Sequence, residues 1–532
     1  MKLNIKNIFF SILLVVSSCL IALSYNFETR ALIEGTILSG TIDYPDEFNL
    51  FRVLSLNAWS LPIQVISFLI KAGFSPLTIS RIILLTSTLM FFVGIFLITK
   101  FFTNSYVLSF LVAFLVVLLK KNFGSVDYPT MMFTEHTGGL MAQALSTLVF
   151  GLLVNNNFKS GFFFSVMLLS VHVTVGLWVN FMIFLTFILK ITIHKNLILN
   201  KKILTSAFVG LTIVLISFFY FLGQKVPLNF IYDHDTYETY MKTWEAHRTT
   251  YGMYSSWMGY EYLFKTLLLT CLIFIFLKLK TRNDNFIFGI NVLFLSCILS
   301  FILYLSYKYF FFLFPDIITR VMPTRFILLH SVIGWPIIFS ILYIFVKNIF
   351  TNFNFNIKYV YFFFVSILIF NLFQHKSNFI ERYEGIKTNL LFSDKIDKND
   401  KFWNKIKATN SDGFFLTDGD FQTCIKTVIF AKKPLFICPE YIDLIPYFPS
   451  AAVPTKKIIE EVLDIPFDNP EVKHTGGVND KDLKFSYENK SNVDWVSLKN
   501  QFNITGLIVP KKWKINLKVY FSSDDYNFYI IQ

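Results

Sequence analysis

The chain has 532 residues, 54% hydrophobic and only 16% charged, with a mean hydropathy of +0.54. A soluble domain carries about 25% charge, so a soluble globule of this composition would have a sticky surface, and lipid must solvate much of the chain. The net charge of +13 does not make nucleic acid a partner, because Lys and Arg cluster at the ends of apolar stretches, where they set membrane topology.

The N-terminus, MKLNIKNIFFSILLVVSSCLIALSY, imitates a signal peptide with Lys2 and Lys6 ahead of an apolar run. No clean small-residue cleavage pattern follows, and the segment reads as an uncleaved first helix. Apolar runs long enough to span a bilayer fall near 8–24, 80–99, 104–119, 138–154, 158–172, 173–190, 203–222, 262–278, 286–306, 326–346 and 358–373. Segment 52–70 carries Arg52, Asn57, Ser60, Pro62 and Gln64. It is expected to lie flat at the interface, because counting it as a span would place the basic loop 191–202 outside.

With eleven spans, Lys2, Lys6, Lys100, Lys159, Lys190, Lys195, Lys201, Lys202, Lys278, Lys280, Arg282, Lys347 and Lys358 share one side. The positive-inside rule makes that side cytoplasmic, together with the N-terminus. The expected protein is a mainly α, polytopic helical bundle (residues 1–375) of the cell inner (plasma) membrane, with an extracytoplasmic soluble α/β domain (376–532). The long loops 25–79, 120–137, 223–261 and 307–325 all fall on the outer side, which is where function is expected.

In the tail, GFFLTD (413–418), TVIFA (427–431), PLFIC (434–438), GLIVP (506–510) and YNFYIIQ (526–532) read as strands. KKIIEEVL (456–463) and VSLKNQF (496–502) read as helices, and 466–494 as a long loop. Cys424 and Cys438 can pair if the tail faces an oxidising compartment. Cys19, Cys271 and Cys297 lie in apolar runs, and no cysteine or histidine spacing points to structural zinc.

Each outer loop offers candidate chemistry. Asp43, Asp46 and Glu47 stand together ahead of the flat segment, where they can act as a general base, hold a divalent cation, or form a solvated loop. The second loop offers Asp127, Glu135 and His136; the imidazole can take a proton or bind phosphate, or the pair can simply start a helix capped by Thr134. His172 lies between two apolar runs, where an imidazole is expensive unless partnered; it is a functional candidate or a satisfied core histidine. In the third loop Asp233, His234, Asp235, Glu245, His247 and Arg248 stand out among many aromatics. The Asp-His-Asp run is a weak metal motif, because adjacent residues of a strand face opposite ways. Arg320 and Arg325, outside against the positive-inside bias, fit phosphate held at the membrane surface.

The acidic loop, the flat segment after it, HVTVGLW at 172–178, PTRF at 323–326, and a tail with Trp495, FNITGLIVP at 502–510 and Tyr529 together resemble the GT-C class of membrane glycosyltransferases, in its broad bacterial branch. The WWDxG-type signature of the oligosaccharyltransferase branch is missing. The resemblance implies sugar transfer from a polyprenyl-phosphate donor to a lipid, glycan or protein acceptor at the outer leaflet. A first-loop carboxylate (Asp43, Asp46 or Glu47) would be the base, and Arg320, Arg325 and Arg248 would hold the donor phosphate. Asp127, Glu135, His136, His172 and His234 would be accessory. No metal is required, though a divalent cation can share the phosphate charge. The competing readings are a transporter or flippase of lipid-linked sugars, for which pseudo-symmetric halves are expected and none is detected, and a non-catalytic scaffold of the same architecture.

Overall fold

The computed structural model describes residues 5–24, 31–118, 138–194, 201–245, 328–352, 358–374, 382–387, 400–470 and 480–532, with isolated positions between them. The chain is mainly helical with a small mixed sheet near its C-terminus. It divides into two compact units: residues 1–27, 77–219 and 256–393 form the first, and 28–76, 220–255 and 394–532 the second.

The first unit contains α1 (Ile5–Leu23), and the second holds α2 (Ala31–Ser39), α3 (Leu50–Asn57) and α4 (Leu61–Lys71). Next come α5 (Pro76–Thr103), α6 (Tyr106–Leu118), α7 (Gly138–Val154), α8 (Phe158–Val171), α9 (Val173–His194) and α10 (Lys201–Gln224), all in the first unit except Pro76 and residues 220–224. Among the described residues, three helices are long and apolar enough to cross a membrane: Pro76–Thr103, Lys201–Gln224 and Gly334–Asn352. Shorter apolar helices occupy Ile8–Leu23, Tyr106–Val116, Gly138–Val154, Phe158–Val171, Val173–Ile188 and Lys358–Phe370. These coincide with nine of the apolar runs. The runs at 262–278 and 286–306 lie, apart from isolated positions, outside the described residues.

Within this unit a buried apolar cluster that includes Phe92, Ile95, Leu108 and Val112 is joined by close glycine-mediated contacts between helices. A Cβ on Gly94 of α5 would stand 2.5 Å from the Thr147 backbone of α7, and one on Gly151 would stand 2.8 Å from the Gly94 carbonyl. The two backbones touch there, and Asn155 Nδ2 donates to the Leu97 carbonyl at 2.9 Å beside them. Helices α8 and α9 are tied by Asn180, whose Nδ2 donates to the Ser165 carbonyl at 2.8 Å while its Oδ1 accepts from the Ser165 hydroxyl.

Segment 52–70 is not one helix. α3 and α4 meet at 109°, because Ala58 leaves the helix in an extended conformation and Ser60 and Pro62 start a new one. Asn49 caps α3, its Oδ1 accepting from Arg52 N at 2.7 Å. α2 lies against α4, with Gly35 in direct contact with Ile66.

The rest of the second unit contains α11 (His234–Thr243), and the first unit α12 (Leu328–Asn352) and α13 (Lys358–Gln374). Then come α14 (Asp400–Lys407), β1 (Phe414–Thr417), α15 (Phe421–Ile429), α16 (Ala452–Lys457), α17 (Asp480–Asn489), α18 (Asn492–Phe502), β2 (Ile504–Pro510), β3 (Val519–Ser522) and β4 (Tyr526–Ile530). The sheet order is β1-β2-β4-β3; β1 and β2 are parallel, and the other pairs antiparallel. β1 and β2 are buried along almost their whole length, as a parallel pair covered on both faces must be.

Three readings of the tail need correction. TVIFA belongs to α15, whose N-cap Asp420 overrides the β-branched composition of Thr427, Val428 and Ile429. PLFIC forms only a single bridge, Leu435 with Phe415. The supposed loop 466–494 contains α17, which buries Leu483, Ser486 and Tyr487.

Candidate functional site

The second unit is assembled from three stretches far apart in sequence. Leu50 and Leu54 of α3, and Tyr240 and Trp244 of the third loop, share one apolar core with Phe414, Leu416, Trp495 and Leu507 of the tail. Polar contacts fix the register. Asn49 Nδ2 donates to the Leu435 and Phe436 carbonyls at 3.0 Å each, so one amide both caps α3 and anchors it to the tail. Trp244 Nε1 donates to the Phe467 carbonyl at 3.0 Å, and the Tyr240 hydroxyl to that of Ile442. Arg52 lies over the Tyr44 ring at 5.4 Å, and Tyr44 packs on Phe414.

The acidic loop is thereby held on a folded support. Asp43, Asp46 and Glu47 are exposed. Glu47 Oε1 accepts from Asn503 Nδ2 at 3.1 Å, so one of the three carboxylates is engaged by the tail.

A second acidic group, absent from the sequence reading, lies where β1 turns into α15. The turn is Asp418-Gly419-Asp420. Gly419 has φ +85, and a Cβ there would meet Leu483 Cδ2 at 2.8 Å. Asp420 caps α15, its Oδ2 accepting from Thr423 N at 3.3 Å, and its own N–H donates to Asp418 Oδ1 at 3.2 Å. Asp418 is only 5% exposed. Burial, then the charge of Asp420, push its carboxyl up to about 7; Thr423 and the Asp420 amide oppose this, and Asp480 adds to it.

The Tyr487 hydroxyl is buried beside this group and has no hydrogen-bond partner among the described residues. Burial, then the Asp418 charge, raise its pKa. Tyr526 is raised chiefly by burial, and the Thr423 hydroxyl donates to it at 3.5 Å. The group stands at the C-terminal ends of the two parallel strands, the position at which open α/β sheets place their ligand crevices. Its chemistry is that of a carboxyl able to hold or release a proton near neutrality. The sequence signal was available: a strand running into Thr-Asp-Gly-Asp and then a helix.

Elsewhere the sequence candidates separate. His172 occupies the break between α8 and α9 in an extended conformation, and its Nδ1 accepts from Val175 N at 3.4 Å. The imidazole thus caps α9. The Asp-His-Asp run is a helix start: Asp233 caps α11, accepting from Thr236 N at 2.9 Å, and contact with Thr236 lowers its pKa. His234 Nδ1 shares a hydrogen bond with the Tyr232 hydroxyl at 3.2 Å. No group of three or more metal-ligating side chains is found among the described residues. Asp127, Glu135, His136, His247, Arg248, Arg320 and Arg325 lie outside the described residues. Cys424 and Cys438 form a disulfide, with Cα atoms 6.0 Å apart, linking α15 to the chain after Leu435.

No family model matches the sequence, and no curated protein matches it either.

Proposed function

We propose that the protein is a polytopic membrane glycosyltransferase of GT-C type, with eleven spans, a cytoplasmic N-terminus and the second unit outside. It moves a sugar from a polyprenyl-phosphate donor to an acceptor at the outer leaflet. The observation that carries this reading is the shared core of the first loop, the third loop and the tail. Segments that a charge-based topology assigns to one side of the membrane are folded together, and they hold a cluster of exposed carboxylates on a rigid support.

In this reading Asp43 or Asp46 removes the proton from the acceptor hydroxyl as that oxygen attacks the anomeric carbon. The bond from that carbon to the donor phosphate breaks, and the phosphate leaves with its electron pair. Glu47 serves chiefly to position the loop, since its carboxylate accepts from Asn503. Arg320, Arg325 and Arg248 are assigned to the phosphate, because a planar guanidinium matches two phosphate oxygens.

The test is glycosyl transfer from polyprenyl-phosphate sugars by the full-length protein in lipid. Asp43→Asn or Asp46→Asn should lower turnover by roughly a hundredfold to ten-thousandfold. Glu47→Gln, which keeps an acceptor for Asn503, should cost far less. Full activity in both aspartate variants would end the base assignment, and no transfer from any polyprenyl-phosphate sugar would end the reading.

A further inference from the structure

Within the first unit, the first turns of α8 and α10 line a pocket of about 640 Å³. Lys159, Ser160, Phe163 and Phe164 come from α8; Lys202, Thr205, Ser206 and Val209 come from α10. The helices are held close by Gly210, where a Cβ would stand 2.7 Å from the Phe163 carbonyl. Two cations far apart in sequence are thus brought to one concavity, and no carboxylate is among its lining residues. The Thr205 and Ser206 hydroxyls donate to the Lys201 and Lys202 carbonyls, at 2.8 and 3.0 Å. Their oxygens add polarity without adding negative charge.

The walls are of a different kind. Phe163, Phe164 and Val209 are apolar, and the strip continues on α10 through the exposed Leu204, Phe208, Leu211 and Leu215. A cationic, hydroxyl-bearing mouth that opens onto an exposed apolar helix face matches one ligand shape: a negatively charged head on hydrocarbon chains. A soluble anion would use the lysines but leave the apolar face in water. Lysines that merely set topology need not converge on a cavity.

We propose that this pocket holds an anionic phospholipid, with its phosphodiester between Lys159 and Lys202 and its acyl chains along α8 and α10. A phosphate near a cationic site at a membrane surface gains roughly fivefold in affinity per lysine, so the pair should give roughly a thirtyfold preference over a zwitterionic lipid.

The test is native mass spectrometry of the full-length protein, released from detergent after equilibration with equal amounts of phosphatidylglycerol and phosphatidylcholine. The wild type should retain phosphatidylglycerol preferentially. Lys159→Ala with Lys202→Ala should lose that preference, and Lys159→Arg with Lys202→Arg should keep it. Millimolar inorganic phosphate should not displace the lipid. Equal retention of the two lipids by the wild type would overturn the proposal, a result that does not depend on any variant folding. So would an undiminished preference in a monodisperse double-alanine protein, or complete displacement by phosphate, which would mark a site for the free anion.

Discussion

Asp418→Asn should stabilise the second unit at alkaline pH and do much less at acid pH. The Asp418 carboxyl is held at about 7 in the folded chain against an ordinary value of 3.8. Between these values the folded state keeps a proton that the unfolded state has lost, so stability falls as pH rises through the window and levels off above about 7. A shift of about three units at 1.36 kcal/mol each makes the full penalty about 4 kcal/mol, of which roughly a third is already present at pH 5. An amide of the same shape escapes this penalty and still accepts from the Asp420 N–H. Its advantage over wild type should therefore grow by about 3 kcal/mol between pH 5 and 8, roughly a hundredfold in the local opening equilibrium.

The assay is hydrogen exchange of the full-length protein in detergent, read on peptides covering 413–431 and 480–489. Variant and wild type are compared at each pH, so intrinsic exchange rates cancel. Asp420, Asp480, Tyr487 and Tyr526, the titratable groups acting on or facing Asp418, are present in both proteins. An advantage of equal size at both pH values, or a variant less protected than wild type at pH 8, would refute the reasoning.

Asn49→Ala should loosen the acidic loop, because it removes the α3 cap and the donor to two tail carbonyls. The cost is about 2–3 kcal/mol, read as faster proteolysis between residues 40 and 60. Gly94→Val should lower the thermal stability of the detergent-solubilised protein, because its Cβ meets the Thr147 backbone at 2.5 Å rather than a side chain that can turn away. Overpacking of this kind costs about 1–3 kcal/mol, and an unchanged melting temperature would remove the claim of backbone contact between α5 and α7. Replacing both Cys424 and Cys438 by Ser should cost the tail about 3 kcal/mol, since the loop they close is 14 residues. Denaturant sensitivity of tryptophan fluorescence measures it, and reduction of the wild type should reproduce the shift.

The apolar helices were legible because their signal is local. A run of Ile, Leu, Phe and Val has one physical outcome in lipid, a helix that satisfies its own backbone. β1, β2, β4 and the body of α18 were legible for a similar reason, since each carries its own local pattern; the start of α18 was not, although Ser491 and Asp494 reciprocally cap it.

What only the tertiary structure decided is which distant segments meet. Nothing in LFRVLSLN announces that Leu50 and Leu54 share a core with residues more than three hundred positions later, or that Asn49 bonds to Leu435. Those contacts depend on the packing of surfaces, and one sequence position carries no record of its partner. The helical state of TVIFA was hidden because its composition favours a strand, while the deciding group, Asp420, lies outside it. The proton affinity of Asp418 was hidden for the same reason. A carboxyl titrates ordinarily in water, and its value moves only when α15 and α17 exclude that water and bring a second carboxylate beside it.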